Sequence, residues 1–102
     1  MKAHTLETQT TVTPEKALNF LKEGNQRFVN NLKANRDLLE QVNATRAGQW
    51  PFAVVLSCID SRTSAELIFD QGLGDIFSVR IAGNFVNKDI LGSMEFGCNV
   101  AG

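Results

Sequence analysis

Pro51-Phe52-Ala53-Val54-Val55-Leu56-Ser57-Cys58-Ile59-Asp60-Ser61-Arg62 passes from a proline through an unbroken apolar run into a thiol, a carboxylate and a guanidinium. A short apolar run without polar alternation reads as a strand over residues 52–56, covered on both faces as in parallel sheets flanked by helices. Cys58 then sits at the strand's carboxyl end, where the loops of such a sheet diverge and ligands bind. Residues two apart in an extended chain point the same way, so Cys58 and Asp60 can face one point while Ile59 turns into the core. A thiolate beside a carboxylate calls for a nearby cation, which a metal ion or Arg62 can supply.

Downstream, Thr63-Ser64-Ala65-Glu66 has the form of a capping box and predicts a helix from Ser64 to Gly72, with Gly74 completing the turn. Ile76-Phe77-Ser78-Val79 reads as a second short strand and Ile81-Ala82-Gly83-Asn84 as a loop. Ile90, Met94, Cys98 and Ala101 form a helical stripe that places Cys98 in the core. Strand, helix, strand, helix is α/β patterning, and it leads on to a further strand past Gly102. Upstream, Thr13-Pro14 starts a helix whose stripe is Leu18, Leu21, Phe28 and Leu32, interrupted at Gly24 and Asn25. A seam this apolar must pack on the helix's own sheet or on a partner subunit. Residues 35–48 support a weak helix or an ordered loop, and residues 1–13, Thr-rich and without period, read as a flexible arm carrying His4, the sole histidine. The expectation is one α/β domain over residues 14–102, incomplete in this chain.

The 102 residues, 43% hydrophobic with seven Phe, suffice for a modest single core. A net charge of −1 gives no basic field for nucleic acid, and no apolar run reaches the length of a membrane span or secretion signal. A cytoplasmic setting follows as an expectation. In it, two cysteines forty positions apart, one beside Asp and Arg, read as thiolate chemistry before a disulfide.

Several readings of Cys58, Asp60 and Arg62 stay open on the residues alone: a reactive cysteine, a metal half-site, or a buried cysteine beside an incidental ion pair. A phosphatase-type loop needs five residues between Cys and Arg, and here there are three. A zinc site needs three or four protein ligands. The stretch supplies two, and a Cys58, Cys98, His4, Asp60 set is arithmetically possible.

Taken together the motifs resemble the β-class carbonic anhydrases. Cys58-Ile59-Asp60-Ser61-Arg62 matches that family's Cys-x-Asp-Ser-Arg motif. Gly24-Asn25-Gln26-Arg27-Phe28, Gly48-Gln49, Gly74-Asp75-Ile76-Phe77-Ser78-Val79-Arg80, Ala82-Gly83-Asn84 and Gly92-Ser93-Met94-Glu95-Phe96 follow in family order. The resemblance implies Zn2+ as cofactor, with Cys58 a ligand and Asp60 either on the metal or released to Arg62. It implies a zinc-bound hydroxide that converts carbon dioxide to bicarbonate; a further reading keeps the same zinc site but hydrolyses another cumulene such as carbon disulfide. Gln49 then corresponds to a substrate-binding glutamine offered across a subunit interface, and Phe77, Gly83 and Phe96 to pocket positions; Phe96 stands where Tyr is frequent. Val55 replaces the Trp of the bicarbonate-regulated subset. The family's remaining ligands come from a His-x-x-Cys motif that this chain does not contain. A homodimer or higher oligomer is implied, and a non-catalytic interaction module is the alternative.

Overall fold

The computed structural model describes residues 3–102. Two parallel strands, β1 (Ala53–Ser57) and β2 (Ile76–Arg80), pair in the register Ala53↔Ile76 through Ser57↔Arg80. The α/β architecture expected from the sequence is therefore present, as a two-stranded sheet with helices before, between and after its strands.

The helices start where local chemistry directs. Thr5 caps α1 (Leu6–Thr11) by accepting the Thr8 N–H at 3.2 Å, while the Thr8 hydroxyl accepts the Thr5 N–H at 2.8 Å. The segment read as a flexible arm thus carries a helix. Its Gln9 amide donates to the Pro51 carbonyl at 2.7 Å and the Ala101 carbonyl at 3.0 Å. His4, expected on a solvated tail, instead packs edge-on against Phe52 at 5.2 Å and tilts over Phe20, with Nε2 3.9 Å from Asp75 Oδ1. Docking of α1 against the start of the sheet carries it there.

Thr13 caps α2 (Pro14–Val29) with Pro14 in its first turn. Gly24 does not interrupt this helix. A β-carbon there would lie 1.7 Å from the Phe69 carbonyl oxygen, so glycine is what lets α2 cross the chain at Phe69 at contact distance. Asn25 donates to the Ile68 carbonyl at 2.9 Å beside it. The stripe expected to pack inward is half open: Leu18, Phe28 and Leu32 are exposed, and Ala17 and Gly24 face the interior.

Residues Leu38–Ala44 form α3, capped by Asp37. After β1, α4 (Ala65–Ile68) is a single turn capped by Ser64, one residue later than the capping box places it, and it ends well before Gly72. Glu66 is free of the cap and accepts the Ser78 hydroxyl at 2.5 Å. The chain stops being helical because Asp70 takes a left-handed φ of 45° and becomes a buried hub. Arg27 Nε donates to Asp70 Oδ2 at 2.5 Å, the Ala34 N–H to the same oxygen at 2.8 Å, and Arg36 to Oδ1 at 2.7 Å. Burial pushes the Asp70 carboxyl up, but Arg27, the Ala34 amide and Arg36 together hold it below the ordinary carboxylate range.

The last helix, α5 (Lys88–Glu95), is capped by Asn87 and runs into a π turn over Phe96–Val100. The widened turn shifts the inward face, so Gly97 is buried and Cys98, expected in the core, is exposed. Among the described residues no helix is long and apolar enough to cross a membrane.

The apolar interior is thin. Only Ala17, Ala65, Ile76 and Ile90 are buried hydrophobics among the described residues. The chain exposes 7093 Å², against about 5,700 Å² expected for a folded monomer of its mass. This excess lies in large side chains such as Leu18, Leu32, Leu39 and Val100, which leave apolar faces open.

Candidate metal centre

Cys58 follows β1 directly, half-buried, and its sulfur accepts the Gly83 N–H at 3.4 Å. Gly83 belongs to a 3-10 turn, Ala82–Asn84, that follows β2 and has φ of 77° at Gly83, the left-handed geometry glycine tolerates best. Parallel pairing of β1 and β2 is what brings these two loops to one end of the sheet. The Asp60 N–H above all, then those of Gly83 and Ile59, hold the Cys58 thiol below its ordinary pKa, against burial and the Asp60 charge.

Asp60 does not share a point with the sulfur through an open lone pair. Both of its carboxylate oxygens face Arg62, whose Nε lies 3.0 and 3.1 Å from them and whose terminal nitrogen lies 2.5 Å from Oδ2. The Arg62 N–H adds a bond to Oδ1 at 2.9 Å. The Arg62 side chain and N–H hold the Asp60 carboxyl below its usual range, and the Asp60 partner raises Arg62 in return. The pair lies at the surface, with the Arg62 side chain 87% exposed. Ile59, expected to turn inward, is exposed because the strand has ended at Ser57 and its alternation with it.

The remaining candidates divide. Phe77 and Phe96 meet with ring centroids 6.4 Å apart and line a cavity of about 700 Å³ with Ser78, Val79 and Gly92; Cys58 is not in its lining. Gln49 is exposed at the opposite end of the sheet, in a pocket with Thr45 and Gly74. The five residues of β1 span about 17 Å between that end and Cys58. Within one chain, then, Gly83 joins Cys58, while Gln49 does not.

One residue at the centre escaped sequence reading. Arg80, at the end of β2, donates to the carbonyls of Cys58 at 2.8 Å, Asp60 at 2.6 Å and Thr63 at 3.1 Å. Its place opposite Ser57 in a parallel pair is the signal that points to it.

The donor set suits zinc as far as it goes. A soft thiolate held by backbone N–H groups is a fitting ligand, and the second donor, Asp60, is occupied by Arg62. No group of three His, Cys, Asp or Glu residues that could hold a metal forms among the described residues, so His4 and Cys98 do not complete the set.

Comparison with known proteins agrees with this geometry. The family model described as carbonic anhydrase matches residues 53–102. Carbonic anhydrase 2 of Mycobacterium tuberculosis is 46% identical over 88 residues, covering 85% of this chain and 42% of that protein. A carbonic anhydrase of Mycolicibacterium smegmatis is 45% identical over 89 residues, covering 85% and 43%. Among solved structures, the β-carbonic anhydrase CcaA superposes with a TM-score of 0.53 at 32% identity, over 82% of this chain and 43% of that one. Together these matches support a partial β-class carbonic anhydrase. It spans less than half the length of the relatives it matches.

Proposed function

We propose that the protein represented by this chain converts carbon dioxide and water to bicarbonate and a proton, reversibly, at a zinc centre to which the chain contributes Cys58. The observation that carries this is the Cys58 sulfur, held by the Gly83 amide at the carboxyl end of β1 beside a carboxylate that Arg62 keeps occupied. Zinc, when bound, supplies the positive charge that brings the pKa of a water toward about 7. The chain's own residues do the rest. Backbone N–H groups lower the Cys58 thiol below its ordinary pKa, which favours the ligating form, and Arg62 occupies Asp60, the other donor of the loop. Gln49 serves a neighbouring subunit's centre in a homodimer or higher oligomer, which the open α2 face with Leu18 and Phe28 supports. Two free cysteines favour a reducing, cytoplasmic setting.

By itself the chain is expected to hold well under one zinc and to hydrate carbon dioxide little, because two donors do not make a zinc site. Fusing it to the segment of the M. tuberculosis relative that follows the matched region tests the reading. Metal analysis and stopped-flow hydration of the fusion should show one zinc and turnover, both lost in Cys58→Ser. Zinc and turnover that survive Cys58→Ser would sink it.

The thin core and open apolar faces favour a second reading, a non-catalytic module that associates through them. A fusion without zinc, together with concentration-dependent self-association of the chain in sedimentation, supports that reading.

A further inference from the structure

The connection between β1 and α4 has no regular structure, and no backbone amide among the described residues bonds the carbonyls of Cys58, Asp60 or Thr63. A single guanidinium collects all three. Arg80 directs Nε at the Cys58 oxygen and one terminal nitrogen at both the Asp60 and Thr63 oxygens, at 2.6 to 3.1 Å. Among the described residues Arg80 has no carboxylate within ion-pair distance, so these carbonyls are what its donors serve. The ladder fixes the base of the side chain, since Arg80 pairs with Ser57 and the next amide, Ile81, donates to the Ser57 carbonyl at 3.1 Å. A planar fork with five donors can span three acceptors from a fixed point, and an ammonium on a flexible stem cannot hold the same geometry.

We propose that Arg80 is a positioning residue of the metal centre: by clamping the carbonyls of Cys58, Asp60 and Thr63 it fixes the turn that presents the Cys58 sulfur to Gly83 and the Asp60 carboxylate to Arg62. The proposal rests on the reading of this loop as half of a zinc site, and its test uses no metal, so failure of either is seen separately.

The clamp is read by proton exchange in NMR of the chain, in Arg80→Gln and in Arg80→Lys. The reporters are the Gly83 amide proton, bonded to Cys58 sulfur, and the Arg62 Nε proton, bonded to Asp60. The internal reference is the Arg27 Nε proton, bonded to the distant Asp70. Both reporters are expected to exchange about tenfold faster or more in each variant, with Arg27 unchanged. Exchange at the original rate in Arg80→Gln overturns the proposal. So does full retention in Arg80→Lys, which would assign the effect to charge and not to the fork, and so does equal acceleration at Arg27, which would mean general loosening. Should neither variant fold, the unsubstituted chain still decides. The Arg80 Nε proton must exchange more slowly than that of Arg46, whose side chain has no bonded partner among the described residues, and equal rates overturn the clamp.

Discussion

Asp60 and Asp70 are both carboxylates held by arginine, ten positions apart, and they do opposite things. Asp70 is 6% exposed and draws its partners from 34, 36 and 43 positions away, so its bonds tie α2, the following loop and the end of α4 together. Asp60 takes its side-chain partner from two positions away, at the surface, where opening the pair moves nothing else. A buried carboxylate that collects distant donors is part of the fold. An exposed one with a local donor can change partner at little cost.

Removing Asp70 should have the largest effect. Asp70→Asn removes the carboxylate charge that the buried Arg36 and the half-buried Arg27 share and is expected to cost about 3 kcal/mol in urea unfolding at neutral pH. Because the folded carboxyl titrates below the unfolded value of about 3.9, its contribution is fully present above that pH and is lost as pH falls through the folded pKa. The gap between the two proteins should therefore close in acid; a gap that widens below about pH 4 would contradict the hub.

Gly24→Ala should come next. The added methyl meets the Phe69 carbonyl and pushes α2 outward, withdrawing Arg27 from Asp70. The expected loss is about 1–3 kcal/mol, read from the urea midpoint, and an unchanged midpoint would mean that α2 and α4 do not meet as described.

Arg62→Gln should be the smallest in stability. The urea midpoint is expected to stay in place while the Asp60 carboxyl, followed by NMR titration, rises toward about 3.9 as its donor is lost. A fall in midpoint comparable to that of Asp70→Asn would erase the distinction between the two sites.

What the sequence disclosed follows the same division. The strand before Cys58, the second strand and the helix start at Thr13-Pro14 were legible because each is written in neighbouring residues. The loop motif was legible for the same reason. Asp70 was not, since nothing within a turn of it names Arg27 or Arg36 as partners. Arg80 needed the strand register before its reach to Cys58 could be seen. Cys98 followed a helical period that the π turn breaks, and Gly24 looked like a helix breaker until the crossing with Phe69 gave it a reason. His4 was read from a polar neighbourhood, whereas its surroundings come from Phe20 and Phe52.

The Gln9 side chain has a consequence for the order in which the molecule is made. Its amide binds the Pro51 carbonyl, 42 positions on, and the Ala101 carbonyl, 92 positions on. During synthesis α1 leaves the ribosome before either partner of Gln9, and its complete berth exists only after the π turn has emerged. α1 is thus translated early and seated only after both of these partners exist, and until then its anchoring groups wait in water.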